Sequence, residues 1–171
     1  VAAILTRAWR HGIHVLDTAP SYRESEAVLG ASIAQKGSFR IITKLPAIEC
    51  DIIDERAADT ARKTFETSLK KLNCGRVAGL LVHQPDDLLK PGADRRFGLM
   101  TVLRSEGLIE KAGVSIAGKS RPKAAELDML LSRYDFDIVQ IPQNVFDQEL
   151  TRTGAVERLK TRGVEVHVRS V

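Results

Sequence analysis

Two ionisable side chains, Asp17 and Tyr22, lie five residues apart in the stretch Gly12 to Tyr22, which reads GIHVLDTAPSY. The apolar residues before Asp17 predict a strand buried on both faces, and Pro20 and Ser21 predict a turn after it. An acid at the end of a buried strand costs free energy unless a cation or hydrogen-bond donors meet it. A carboxylate and a phenol at one strand end therefore indicate a candidate site, although either residue alone is equally compatible with ordinary turn chemistry.

Lys44 and His83 stand at the ends of the next two apolar stretches, FRIITKL and VAGLLV. A phenol ionises at about pH 10 and is a poor acid at neutral pH unless a nearby ammonium stabilises the phenolate. Lys44 would supply that ammonium, Asp17 would hold it charged, and a neutral His83 could orient a substrate oxygen. Taken singly, a residue like Lys44 is more often a strand-end lysine, and one like His83 is more often a hydrogen-bonded loop residue than a catalyst. Together with Tyr22, they predict a proton relay directed at a carbonyl oxygen.

Six short apolar segments alternate with six helical patterns along the chain, an arrangement typical of parallel βα units. The predicted strands are residues 13–19, 39–45, 77–82, 111–116, 136–141 and 164–170. The predicted helices are residues 1–10, 25–36, 54–72, 93–106, 122–134 and 153–162. Asp54 is the expected N-cap of the third helix, and Ile33 is expected on the inner face of the second.

Two architectures fit this alternation, the doubly wound open sheet and the (β/α)₈ barrel. The first strand is not followed by GxGxxG, and the chain contains no GxxxxGK[ST] phosphate loop. Polar residues instead stand at many strand ends: Asp17, Lys44, His83, Ser115, Gln140 and Ser170. Because a barrel builds its site from several strand ends, the barrel is favoured. About six βα units are present, so two of the eight strands are expected outside this chain.

The composition excludes several classes of protein. The 171 residues are 43% hydrophobic and 28% charged, which predicts one globular domain over residues 1–171. No apolar run reaches the roughly 20 residues that span a bilayer, and no signal peptide opens the chain, so we expect a cytoplasmic protein without membrane contact. Cys50 and Cys74 lack metal-like spacing and are expected to be reduced thiols. The net charge of +4 is spread along the chain and aromatic residues make up 5%, which argues against nucleic-acid binding.

With these residues in place, the sequence resembles the aldo/keto reductase family. The matching segments are GIHVLDTAPSYRESEAVLG (12–30), IITK (41–44), LLVHQP (80–85), GLIEKAGVS (107–115), VQIPQNVFD (139–147) and VRSV (168–171). They span the whole chain in the family's order. The resemblance implies a (β/α)₈ barrel that binds NADPH in extended form and transfers hydride to an aldehyde or ketone.

The resemblance also implies roles for individual residues. Tyr22 would be the general acid, Lys44 would assist its proton release, Asp17 would pair with Lys44 and border the cofactor, and His83 would orient the carbonyl. No residue is implied as a metal ligand.

A second group of residues would contact the cofactor. Ser115 and Gln140 would hold the nicotinamide carboxamide, and Ser170 would touch the cofactor phosphates. Arg169 stands where many members place an aromatic residue against the nicotinamide ring, and its planar guanidinium could stack there instead.

The chain departs from the family pattern at several points. Arg23 follows the tyrosine where members usually have glycine, and Ile116 replaces an asparagine beside the serine. The family's first strand and the segment after Ser170, which grips the adenosine 2′-phosphate, are absent. NADPH is therefore the expected cofactor with NADH as the alternative, and we expect the chain to be an internal portion of a longer protein. The sequence leaves the oligomeric state open.

Three functions remain open. The first is an NAD(P)H-dependent carbonyl reductase, or the same enzyme run as a sugar or alcohol dehydrogenase. A sugar-derived aldehyde and a small aromatic aldehyde are equally compatible substrates, and the motifs look most like bacterial members, some of which act on sugars or pyridoxal. The second is a regulatory barrel that keeps the cofactor without catalysis. The third is a piece that is inactive alone and associates through an exposed sheet edge. The combination of Asp17, Tyr22, Lys44 and His83 favours the enzyme.

Overall fold

Six parallel strands form a single sheet in the computed structural model, which describes residues 1–33, 39–117 and 121–171. The strands are β1 (Val15–Asp17), β2 (Arg40–Leu45), β3 (Val77–Val82), β4 (Ile109–Ser115), β5 (Ile138–Pro142) and β6 (Glu165–Arg169). Each strand pairs in parallel with the next strand in the sequence. All six carboxyl ends therefore lie at one end of the sheet.

Helices alternate with the strands throughout. They are α1 (Ala2–Arg10), α2 (Ser25–Ile33), α3 (Glu55–Leu72), α4 (Ala93–Ser105), α5 (Lys123–Leu131), α6 (Glu149–Arg152) and α7 (Ala155–Thr161). A 3₁₀ turn at Pro85–Leu89 follows β3. This is an incomplete (β/α)₈ barrel, as the sequence predicts. The expected continuation of α2 to Lys36 lies outside the described residues, and so does the side chain of Ile33.

Local signals account for the longest helix, α3. The Asp54 side chain accepts a hydrogen bond of 2.8 Å from the Ala57 backbone N–H, which caps the first turn. At the other end, Asn73 adopts the left-handed conformation with φ 51° and ends the helix. Ala61 and Phe65 are buried on the face toward the sheet, so the apolar stripe decides which side of α3 packs.

The main core lies between the sheet and the surrounding helices. It includes Leu45, Leu80, Val82, Val114 and Ile141 from the strands and Phe65, Met100, Leu103 and Leu127 from the helices. A smaller apolar cluster contains Ile42, Leu81 and Ile138. Because side chains alternate along a strand, Lys44 and Gln140 lie on the same face as Ile42 and Ile138, nearer the carboxyl ends. The register also pairs Ser115 with Gln140.

The first strand differs from the prediction. Ile13 lies outside β1 and is 55% exposed, and Val15 is 37% exposed. The expectation of a strand buried on both faces is therefore wrong. Within the described residues β1 pairs only with β2, so it is an edge strand whose side chains have a neighbour on one side.

The described residues include neither a candidate membrane span nor a candidate metal-binding cluster. None of the helices in these ranges is both long and apolar enough to cross a membrane. The same ranges contain no group of three or more His, Cys, Asp and Glu side chains arranged to hold a metal ion.

Candidate active site

An ion pair between Asp17 and Lys44 joins the ends of β1 and β2. The Lys44 Nζ atom donates to Asp17 Oδ1 at 2.8 Å, to Asp17 Oδ2 at 2.7 Å and to the Thr18 carbonyl at 3.0 Å. The Lys44 side chain is 1% exposed, and an ammonium this buried is stable only when it is paired and hydrogen-bonded. These contacts hold Lys44 in one position.

A chain of hydrogen bonds extends from Asp17 across the barrel mouth. Gln140 Nε2 donates to Asp17 Oδ1 at 3.0 Å, and Ser115 Oγ donates to Gln140 Oε1 at 3.1 Å. Ser115 and Gln140 are each 3% exposed. Because β1 and β5 are separated by three strands in the sheet, the bond between Gln140 and Asp17 must cross the concave side. The sheet is therefore curled, and the ends of β1, β2, β4 and β5 meet around one space.

Tyr22 and His83 complete the group on the side of Lys44. Their rings lie edge to face with centroids 5.7 Å apart, and Lys44 Nζ lies 5.0 Å from the Tyr22 ring centroid. Tyr22 is 43% exposed, so its ring faces the open mouth. His83 is fixed through its backbone, because its N–H donates to the Leu45 carbonyl at 3.2 Å. A phenol, an ammonium and an imidazole thus meet where three strands end.

The turn that carries Tyr22 keeps a conformation that glycine favours. Arg23 has φ 53°, in the left-handed region, which costs about 1 kcal/mol for a residue with a side chain. The turn is closed by the Tyr22 N–H, which donates to the Ala19 carbonyl at 3.0 Å, and by Thr18 Oγ1, which donates to Ser25 Oγ at 3.0 Å. These hydrogen bonds therefore close the turn with an arginine in the left-handed conformation.

Arg169 and Ser170 lie beside the end of β4. The Arg169 guanidinium donates to the Ile116 carbonyl at 2.8 Å and to Ser170 Oγ at 3.1 Å. Ser170 has φ 57°, so the chain turns sharply after β6. These contacts bring both residues next to Ser115, although the ring contact and phosphate contact expected of them remain predictions.

The loops after β2 and β3 are fastened to each other by a buried charged cluster. Asp87 accepts hydrogen bonds from the Ile48 N–H at 3.0 Å and from Lys90 at 2.9 Å, and Lys90 donates to the Ile48 carbonyl at 2.6 Å. Arg96 donates to the Pro46 carbonyl. Burial lowers the pKa of Arg96, and nearby Asp87 acts in the opposite direction. The segment directly after Lys44 is therefore held rigidly against the segment after His83.

Sequence reasoning missed two residues that contact the cluster at the barrel mouth, which consists of Asp17, Tyr22, Lys44 and His83. Thr18 offers its carbonyl to Lys44, and Ser21 lies with its Oγ 3.3 Å from His83 Nδ1. Ser21 could have been identified from the sequence, because its hydroxyl directly precedes Tyr22 in the predicted turn. The sequence also assigned Gln140 to the cofactor alone, whereas its amide also holds Asp17.

A cavity of about 410 Å³ lies away from the cluster at the barrel mouth, between the loop after β2 and α3. Its lining includes Pro46, Ile52, Ala57, Ala61 and Arg96. None of the six strand-end residues proposed from the sequence borders it, so its size does not make it the candidate active site.

The polar groups at the ends of β4 and β5 fit a nicotinamide carboxamide. A primary amide presents one acceptor oxygen and two N–H donors, and the Ser115 hydroxyl and Gln140 amide can each donate and accept. Both side chains are buried at the same end of the barrel as Tyr22. The donor set therefore matches the group that the sequence resemblance implies.

A sequence model of the Aldo/keto reductase family matches residues 1–171, the full length of the chain. The chain belongs to this family. None of the curated proteins compared with it gives a significant match.

Solved structures of aldo/keto reductases share the fold. An aldo-keto reductase from Pseudomonas aeruginosa superimposes with a TM-score of 0.78 at 24% identity, over 99% of this chain and 64% of its own. The glycerol dehydrogenase of Gluconobacter oxydans superimposes with a TM-score of 0.76 at 22% identity, over 98% of this chain and 52% of its own. A Bombyx mori aldo-keto reductase in complex with NADP superimposes with a TM-score of 0.69 at 22% identity, over 99% of this chain and 55% of its own. The chain thus spans less than two thirds of the length of each of these proteins.

Proposed function

We propose that this chain carries the proton-transfer site of an NAD(P)H-dependent carbonyl reductase. The observation that supports this most is the cluster of Tyr22, Lys44, Asp17 and His83 at the barrel mouth. Membership of the aldo/keto reductase family supports a nicotinamide cofactor. A barrel that only bound the cofactor would not need a phenol beside a buried ammonium.

Tyr22 is the proposed general acid. Its hydroxyl donates a proton to the carbonyl oxygen of the substrate as that oxygen gains negative charge, and accepts the proton in the reverse reaction. Lys44, 5.0 Å from the ring, stabilises the phenolate that remains. Asp17 holds the Lys44 side chain in place through two short hydrogen bonds.

His83 is proposed to orient the substrate. A neutral imidazole can donate one N–H to the carbonyl oxygen without competing as an acid. The edge-to-face contact between the His83 and Tyr22 rings supports this proposal, because it keeps the imidazole and the phenol close together at the mouth. Two donors aimed at one oxygen would stabilise the charge that develops there.

The cofactor would be held on the other side of the mouth. Gln140 and Ser115 are proposed to bind the carboxamide, Asp17 to border it, Arg169 to lie against the ring and Ser170 to contact the phosphates. When bound, the reduced nicotinamide supplies the hydride. We propose NADPH as the cofactor with NADH as the alternative, and an aldehyde or ketone, including sugar-derived ones, as the substrate.

The test is a comparison of wild type with Tyr22→Phe in the full polypeptide, measuring NADPH and NADH oxidation with an aromatic aldehyde. Loss of the general acid should lower kcat by about 10²–10⁴-fold. Cofactor affinity, measured by fluorescence titration, should change little because the ring is retained. Tyr134→Phe is the control, since Tyr134 is the other tyrosine and lies in the core.

Three outcomes decide the proposal. A large loss of kcat in Tyr22→Phe alone supports it. Equal turnover in wild type and Tyr22→Phe overturns the role of Tyr22. Cofactor binding without any carbonyl turnover in wild type would instead favour a regulatory barrel.

A further inference from the structure

We propose that the cavity between the loop after β2 and α3 binds a small carboxylic acid, with one carboxylate on a compact apolar body. The cavity measures about 410 Å³, and sites for small molecules typically measure about 300–1,000 Å³. The four residues of the cluster at the barrel mouth do not border it. The site is therefore separate from the proposed catalytic one, and the inference does not depend on the proposed function.

Arg96 borders the cavity and carries a buried charge that is incompletely compensated. Its side chain is 1% exposed, and its counter-charge is Asp87, whose Oδ2 lies 3.8 Å from Arg96 Nη2. Both oxygens of Asp87 have nearer donors, because Lys90 lies 2.9 Å from Oδ1 and the Ile48 N–H donates to Oδ2 at 3.0 Å. One carboxylate therefore serves two cations, which leaves an excess of positive charge beside the cavity.

The guanidinium of Arg96 is also incompletely hydrogen-bonded. Its Nη2 donates to the Pro46 carbonyl, whereas the buried Nε has no hydrogen-bond partner within the part of the chain that the structure describes. Buried polar groups are rarely left without a partner, and an absent acceptor is one explanation for an exception. A carboxylate matches the planar N–H donors of a guanidinium and supplies negative charge as well. A carboxylate is therefore the polar group that we assign to the ligand.

The rest of the lining favours an apolar body on that ligand. Ile48, Ile52, Ala57 and Ala61 border the cavity, and Ile52 is 64% exposed. An apolar ligand that covers Ile52 removes apolar surface of both partners from water, which favours binding. Inorganic phosphate has no apolar surface and would gain nothing from these contacts.

The other charged residues that border the cavity limit the charge of the ligand. Glu49, Asp54 and Arg56 are exposed, so water and salt screen their charges more than that of buried Arg96. Two of the three are acidic and would repel a multiply charged anion. A single carboxylate is therefore favoured over a phosphate ester or a dicarboxylate.

The experiment titrates benzoate and benzamide into ¹⁵N-labelled full polypeptide and follows the backbone amide shifts by NMR. The two probes have nearly the same shape and differ in charge. Benzamide should bind about tenfold more weakly than benzoate or worse, because hydrogen bonds between charged groups are stronger than those of neutral groups. Arg96→Met removes the charge, keeps much of the side-chain volume and should lower the affinity for benzoate to that for benzamide.

Thr60→Phe tests the location, because Thr60 borders the cavity and a phenyl ring there would fill part of it. Thr67→Phe is the matched control. Both threonines are exposed on α3 and donate to the carbonyl one turn earlier, but Thr67 does not border the cavity. Thr60→Phe should abolish benzoate binding, and Thr67→Phe should leave it unchanged. Circular dichroism checks the folding of each variant, and the comparison of the two probes in wild type requires no variant.

Three results would overturn the proposal. Equal affinities of wild type for benzoate and benzamide would exclude the role of Arg96. Benzoate binding that survives Thr60→Phe would locate the ligand elsewhere, including at the barrel mouth. Absence of benzoate binding to wild type would show that the cavity is not a carboxylate site. Failure of the proposed function, tested separately with Tyr22→Phe, would change none of these outcomes.

Discussion

At the scale of residues, the Lys44 ammonium is a buried charge that depends on its hydrogen-bond partners. It is 1% exposed and has its counter-charge in Asp17, which is 37% exposed. Breaking a buried ion pair by removing one partner costs about 3–5 kcal/mol, because the remaining charge is left uncompensated. Because Asp17 is partly exposed, water can solvate part of the charge when the pair is broken, which reduces the free-energy cost.

We expect Asp17→Asn to lower the free energy of unfolding by about 2 kcal/mol, measured by urea titration. Lys44→Met should lower the free energy of unfolding by less, because it removes the buried charge and keeps the side-chain volume. The same substitution should abolish turnover. Asp128→Asn is the control, since Asp128 pairs with Arg158 on the exposed surface. Equal losses in Asp17→Asn and Asp128→Asn would show that Lys44 does not depend on its partner.

At the scale of elements, α2 positions the turn that carries Tyr22, and α2 is held by close packing on α3. Gly30 of α2 makes this approach possible. A Cβ atom at Gly30 would lie 2.1 Å from the Lys71 carbonyl oxygen and 2.8 Å from the Leu72 carbonyl carbon. Both are backbone atoms and cannot rotate away, so a side chain at Gly30 would force the helices apart.

Gly30→Ala should therefore destabilise the protein by about 2 kcal/mol and lower the turnover that depends on Tyr22. Gly98→Ala is the control, because Gly98 lies inside α4 with no atom within 4 Å of its added Cβ. That variant should gain about 0.5–1 kcal/mol from the better helix propensity of alanine. Denaturant titration measures the free energy of unfolding of both variants. A Gly30→Ala variant as stable as wild type would mean that α2 does not pack on α3 as described.

At the scale of the whole molecule, Tyr134 joins the loop after α5 to the 3₁₀ turn and to the start of α4, which lie 46 and 40 positions earlier in the sequence. Its hydroxyl lies 3.1 Å from the Leu88 carbonyl oxygen and 3.0 Å from Asp94 Oδ1, and its single proton is donated to one of these two acceptors at a time. Tyr134 is 7% exposed. Burial, with the added effect of the Asp94 carboxylate, raises the pKa of Tyr134 to about 12.

Stability should therefore fall at alkaline pH. An unfolded tyrosine ionises at about pH 10, whereas folded Tyr134 keeps its proton up to about pH 12. Its stabilising contribution is complete below pH 10 and is lost as the pH rises through that window, because only the unfolded state releases the proton. Urea titrations between pH 9 and pH 12 should show a weaker pH dependence in Tyr134→Phe than in wild type. Equal slopes in wild type and Tyr134→Phe would contradict this role of Tyr134.

Several elements were predictable because their signals are local. The run VAGLLV is buried throughout and forms β3 at the predicted residues, and the Asp54 cap and the stripe of Phe65 mark α3. The 3₁₀ turn at Pro85–Leu89 and the four-residue helix α6 were missed because such short segments have too few residues to show a period. The burial of Val15 was predicted wrongly because apolar content does not reveal whether a strand lies at the edge of a sheet.

The sequence by itself determined the alternation of strands and helices, the barrel class and the identities of the strand-end residues, because hydrophobic period, capping and chain order are properties of neighbouring residues. Only the tertiary structure decided how those residues meet. Gln140 bonds to Asp17 across 123 positions, and Ser21 bonds to His83 across 62. These contacts exist because the parallel sheet curls and brings the carboxyl ends of separate strands around one space, and the degree of curling depends on the packing of all six strands together.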